Sequence, residues 1–125
     1  MCKETEVNRL LYKVLVSFQT ALTHFEDMLS QPQDLEVYDY SALRLQLLRT
    51  DIEKIAGILS MRFAEDVPVT WLVQLYNTQL TLSSCIQGVN AVEAEYTFDE
   101  DVEILRNEIM LLEKIDYHAW LKLSL

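Results

Sequence analysis

Charge is missing from residues 67–92, VPVTWLVQLYNTQLTLSSCIQGVNAV, although Asp, Glu, Lys and Arg make up 24% of the 125-residue sequence. The stretch has the length of a membrane span. However, Gln74, Asn77, Gln79, Gln87 and Asn90 stand where a bilayer helix carries Leu or Ile, which excludes that reading. Glycine and proline are also scarce, at two residues each. With half of the residues hydrophobic, their scarcity excludes a loop-rich or disordered chain and leaves a compact helical one. Only two cysteines occur, Cys2 and Cys85, with no CxxC, so no disulfide framework is encoded and a reducing compartment is expected. The opening MCKETEVNRL has no apolar run of the signal-peptide kind, and the expected location is the cytoplasm. No alternating β-branched run marks a strand, and there is no internal repeat or second domain. A net charge of −10 disfavours nucleic acid and anionic membranes as partners.

What is present is helical periodicity. Val7, Leu11, Val14, Phe18, Ala21, Phe25 and Met28 recur at alternating spacings of four and three. That is the seam of a bundle helix running from about Thr5 to Ser30, where Gln31-Pro32 breaks it. A polar connection, Gln31 to Asp39, precedes a second helix from about Tyr40 to Ala64, with Leu45, Leu48, Ile52, Ile55 and Leu59 inward. Gly57 in its interior predicts close packing at that point, since Gly there costs about 1 kcal/mol relative to Ala. Asp66 and Pro68 suit the start of a third helix, Val67 to Ala94, whose seam reads Leu72, Leu75, Gln79, Leu82, Ile86 and Val89. Thr97-Phe98-Asp99-Glu100 has the form of a capping box. It opens a fourth helix reaching about Leu123, with Val102, Leu105, Ile109, Leu112 and Ala119 inward. Four helices of similar length joined by short loops predict one domain over residues 1–125, an all-α, antiparallel up-down-up-down four-helix bundle.

Catalytic motifs are missing. A di-iron bundle site needs Glu-x-x-His, but Ala21 and Ile115 precede His24 and His118 by three residues. No Gly-rich phosphate loop, nucleophile elbow or zinc spacing occurs. Cys85 sits among apolar and small residues with no cation nearby in sequence, the setting of an inert thiol. Glu100-x-x-Glu103 and Glu113-x-x-Asp116 resemble the paired carboxylates with which all-α nucleotide pyrophosphohydrolases hold Mg²⁺. The resemblance would imply a Mg²⁺-dependent hydrolase, but that family places its pairs on two facing helices and this chain places both on one. The expectation is no enzyme, no cofactor and no metal site.

Two features point to protein partners. Between Lys13 and Arg44 the chain carries Glu26, Asp27, Asp34, Glu36 and Asp39 without a positive residue. Between Glu93 and Glu103 it carries Glu93, Glu95, Asp99, Glu100, Asp101 and Glu103, again without one. In an up-down-up-down bundle these segments meet at one end and form an acidic pole. Glu36, Asp39, Asp99 and Asp101 are then candidates for docking a basic protein, as an inhibitor, immunity protein or secretion chaperone would. Tyr38, Tyr40 and Tyr96 lie among these acids and can add contact area. The second feature is a stripe on the charge-free helix: Thr70, Gln74, Asn77, Thr81, Ser84, Gly88 and Ala91, all uncharged and mostly small. Such a stripe lets another helix approach closely, and Ile104, Leu111 and Leu121 of the fourth helix lie outside its seam as well. The primary expectation is therefore an interaction protein that forms a homodimer, or binds another protein, along residues 70–91.

Overall fold

The computed structural model describes residues 3–31, 34–90 and 99–124. They form four helices: α1 (Lys3–Ser30), α2 (Leu35–Arg62), α3 (Val69–Asn90) and α4 (Asp99–Ser124). Each helix packs on two neighbours. α1 touches α2 and α4, α3 touches α2 and α4, and the diagonal pairs make no close approach. Cross-helix bonds show α1 and α4 to be antiparallel. Gln19 Nε2 donates to Glu113 Oε1 at 3.0 Å, and Glu26 Oε1 accepts from Arg106 Nη2 at 3.0 Å, so one number rises as the other falls. The chain is an all-α bundle, and these neighbours fit the expected up-down-up-down order.

The core follows from the heptad seams. All seven predicted α1 positions are buried, with Phe18, Ala21 and Phe25 fully enclosed. Leu45, Leu48, Ile52 and Leu59 of α2 and Val102, Leu105, Ile109 and Leu112 of α4 meet them. Burying a side chain of this size contributes roughly 1.5–3 kcal/mol, so the core comes from apolar packing and owes little to its exposed ion pairs.

Three local readings change. The second helix starts at Leu35, five residues before Tyr40, because the Asp34 carboxylate accepts from the backbone N–H groups of Glu36 and Val37 and caps it. It ends at Arg62, where the Phe63 N–H donates to the Leu59 carbonyl and Phe63 turns into the core. α3 starts later than Val67: the Pro68 carbonyl takes the first bonds, from Trp71 and Leu72. Gly57 is not closely packed, since a Cβ built on it meets nothing within 4 Å. It lies instead in an open notch of about 300 Å³ between α2 and α3, edged by Ser60 and Tyr76. Thr97 of the expected capping box, with Glu93, Glu95 and Tyr96, lies outside the described residues.

Candidate interaction surface

α3 is turned about its axis relative to its expected seam. Leu75, Leu82 and Ile86 are buried as the spacing predicts, but Leu72 and Gln79 are only half-buried. Their places in the core are taken by Thr78 and Cys85, both fully enclosed, and by Gly88. Burial of Thr78 is possible because its hydroxyl donates to the Gln74 carbonyl one turn earlier at 2.9 Å, so no polar group is left unmet. Small side chains at 78, 85 and 88 let α4 come close.

The rotation redistributes the predicted stripe. Thr70, Asn77 and Ser84 are exposed, whereas Gln74 and Thr81 are half-buried and Gly88 is buried; Ala91 lies outside the described residues. Gln74 Nε2 donates to Glu108 Oε2 of α4, so it is engaged inside the bundle. The stripe straddles the border of α3 with α4, with Gln74 engaged and Thr70, Asn77 and Ser84 left in solvent. It is not a single outward face, and Thr81 does not stand at the centre of one. Amides and hydroxyls at helical spacing pack equally well against a neighbour in the same chain, which is why the outward assignment holds for Thr70, Asn77 and Ser84 but not for Gln74, Thr81 and Gly88.

What α3 turns outward is apolar. Val69, Val73, Tyr76 and Leu80 are 71%, 52%, 59% and 50% exposed and recur at spacings of four, three and four, one stripe along the helix. Sequence reading overlooked them because none differs in charge from the residues turned inward. The spacing itself was the available signal. On α4, Ile104 and Leu111 are about half exposed. They lie on the side of α4 that carries Glu108, whereas Tyr76 of the α3 stripe edges the notch toward α2, and the exposed Thr70, Asn77 and Ser84 separate that stripe from Gln74 and α4.

The described acids of the two charge-biased segments come to one end. Glu26 reaches Arg106, which also binds Glu103, so the end of α1 meets the start of α4. Glu36 and Asp39 are exposed on the first turns of α2, and Asp101 is half-buried near the end of α3. Glu93 and Glu95 are not described, and Asp99 is placed in the first turn of α4. The fold brings cations into this end that the linear segments lack. Arg106 sits between two carboxylates, and Arg44 stands close enough to His24 to disfavour its protonation. Tyr40 is exposed and meets the His24 ring edge-on, with centroids 5.9 Å apart; Tyr38 packs partly against the core. Burial pushes the pKa of His24 below its ordinary value, with Arg44 adding to the effect and Asp27 opposing it.

The paired carboxylates stay on one helix. Glu100 and Glu103 are exposed, Glu103 binds Arg106, and Glu113 accepts from Gln19, while Asp116 lies beyond the described side chains. Among the described residues no three His, Cys, Asp or Glu side chains are grouped to hold a metal ion, and no helix is long and apolar enough to cross a membrane. The Cys85 thiol is pushed up to about 12, mainly by burial and further by the Asp101 charge, and is protonated at neutral pH. A groove of about 510 Å³ between α1 and α2 is lined by Tyr12, Val16, Ile55 and Ile58, with Lys13, Asp51 and Lys54 among its polar residues. No significant match to this chain was found among protein-family models, curated proteins or solved structures.

Proposed function

We propose that this chain is a non-enzymatic protein–protein interaction module of the cytoplasm, working through the outward face of α3. One observation carries the reading. Val69, Val73, Tyr76 and Leu80 form a continuous apolar stripe, each at least half exposed, on the one helix that has no charge to keep it in water. Apolar side chains exposed singly are ordinary, whereas four on one stripe suit a protein contact. The test is photo-crosslinking in extract of the cell that makes the protein, with a photoreactive residue at Leu80 and a control at Leu47. Leu47 is equally exposed but lies on α2. The expected result is one recurrent protein adduct, to this chain or another, from position 80 and not from 47. Equal labelling from both positions overturns the reading.

Docking of a basic protein at the acidic end is the second reading, supported by Glu36, Asp39 and Asp101 sharing that end. It ranks lower because Arg106 and Arg44 offset part of the charge there. A hydrolase reading has less support still, since its carboxylates share one helix and two of them already have protein partners.

A further inference from the structure

We infer that the groove between α1 and α2 binds a small amphiphilic carboxylate of the fatty-acid kind, its tail along the apolar floor and its head between Lys13 and Lys54. The inference is independent of the α3 face, since no residue lining this groove belongs to α3.

Size and lining set the class of occupant. The groove holds about 510 Å³, inside the range of roughly 300–1,000 Å³ that small-molecule sites occupy. Leu10, Ile55 and Ile58 are buried or half-buried along it and Val16 edges it, so the body of the occupant is apolar. Lys13 of α1 and Lys54 of α2 are both exposed in the same lining, and Ser17, one turn on from Lys13, adds a hydroxyl. Neither lysine forms a salt bridge with a described residue, whereas Arg49 and Arg106 are both paired. An ammonium pair beside apolar surface suits an anionic head on an apolar tail. The notch between α2 and α3 is the internal comparison: it is also partly apolar, but Glu53 edges it and no cation does.

Charge complementarity names the head group. The chain has 20 acidic and 10 basic residues, yet the charge balance reverses around this groove. Residues 9–17 of α1 and 51–62 of α2 carry Arg9, Lys13, Lys54 and Arg62 against Asp51 and Glu53. Glu53 lies on the other flank of α2, where it binds Arg49 and edges the notch toward α3. Within the lining itself, two ammonium groups and the Asp51 carboxylate leave an excess of one positive charge. That excess matches a singly charged carboxylate better than a doubly charged phosphate. The acidic end does not repel such a ligand, because Asp39 precedes Asp51 by roughly 18 Å of helix, about twice the screening length at physiological salt.

The experiment is titration of the isotope-labelled chain with octanoate at neutral pH, followed by amide NMR. The amides of Val16, Ser17, Ile55 and Ile58 should shift together and saturate with a Kd of about 1 mM or below. Octanol, which has the same tail and no charge, should bind roughly fivefold more weakly. Replacing both lysines, Lys13→Gln with Lys54→Gln, should weaken octanoate by a similar factor and leave octanol unchanged, since two exposed charge pairs are lost and the apolar floor is kept. Lys114→Gln on α4 should change neither. All three lysines are exposed, so folding should survive the changes. The inference is overturned by the lack of a saturable shift up to about 10 mM octanoate, by shifts centred on the α2–α3 notch, or by equal binding of octanoate to the double variant. Octanol that binds as tightly as octanoate overturns the role of the head group and with it the inference. Groove shifts on dilution of the protein alone would seat a second copy there, and displacement of octanoate by a lower concentration of an acidic amphipathic peptide would seat a protein segment; either result overturns the small-ligand reading. None of these failures touches the crosslinking result at position 80, so the two readings fail separately.

Discussion

α1 and α3 are both amphipathic in the folded protein, yet their two faces are told apart by different means. On α1, charged residues such as Arg9, Lys13, Glu26 and Asp27 mark the watered side, and all seven inward positions are buried. On α3 nothing is charged. A threonine and a cysteine lie in the core, while two valines, a tyrosine and a leucine lie outside. The difference shows that polarity does not mark the buried face of α3: Thr78, Cys85 and Gly88 lie in the core beside Leu75, Leu82 and Ile86, while Val69, Val73, Tyr76 and Leu80 are left on the open side. A helix not oriented by polarity can carry an apolar outer face without contradiction.

The largest expected effect would break that comparison if it failed. Phe18→Ala should cost about 3–5 kcal/mol of stability, because it empties a fully enclosed site on α1. Leu80→Ala on α3 should change the stability of the separated chain by no more than about 0.5 kcal/mol. Denaturant unfolding at submicromolar protein measures both. A Leu80→Ala cost as large as that of Phe18→Ala would place Leu80 in the core and remove the α3 surface. An intermediate, positive effect is expected at the α2–α3 notch. Gly57→Ala should stabilise by about 0.5–1 kcal/mol, since the added methyl meets nothing and the helix loses a flexible residue. A loss there would mean that another helix needs the space. The smallest effect concerns pH. The unfolded chain protonates His24 below about 6.5, while the folded protein does so only at lower pH. The unfolded state therefore binds more protons in that window, and stability falls as pH drops below about 6.5. Between pH 7.5 and 5.5 the unmodified protein should lose slightly more stability than His24→Gln. An equal loss would show that burial and Arg44 do not act on this ring.

How much was legible from sequence divides along the same line. The four helices, the seam of α1 and that of α4 as far as Leu112 were readable, because a period of four and three with charges on the far side has one interpretation; Ala119 lies outside the described side chains. The early start of α2 was written in Asp34 but hidden by the nearby proline, which made the whole segment look like a connection. The meeting of the acidic segments followed from topology, whereas Arg106 and Arg44 were missed because they lie outside the segments in sequence and approach only through the fold. On α3, Thr70, Asn77 and Ser84 are exposed as expected, and the rest of the described stripe was misassigned for a physical reason. Polar residues were taken as outward, yet a threonine that satisfies its hydroxyl on its own backbone is as easily buried as a valine. Gly57 was read as a sign of contact and marks a gap instead.

The closure of the bundle by α1 against α4 has a consequence for how the chain is made. Glu26 and Arg106 are 80 residues apart in sequence. At ribosomal rates of about 5–20 residues per second, α1 waits roughly 4–16 s for the helix that covers its second flank. During that interval α2 and α3 can assemble beside it, but the side of α1 that α4 will occupy stays open to water. The nascent chain is therefore most exposed to misassociation and proteolysis just before its last helix emerges. A variant that slows or weakens α4 should show itself first as poor yield in the cell, before any change is seen in the purified protein.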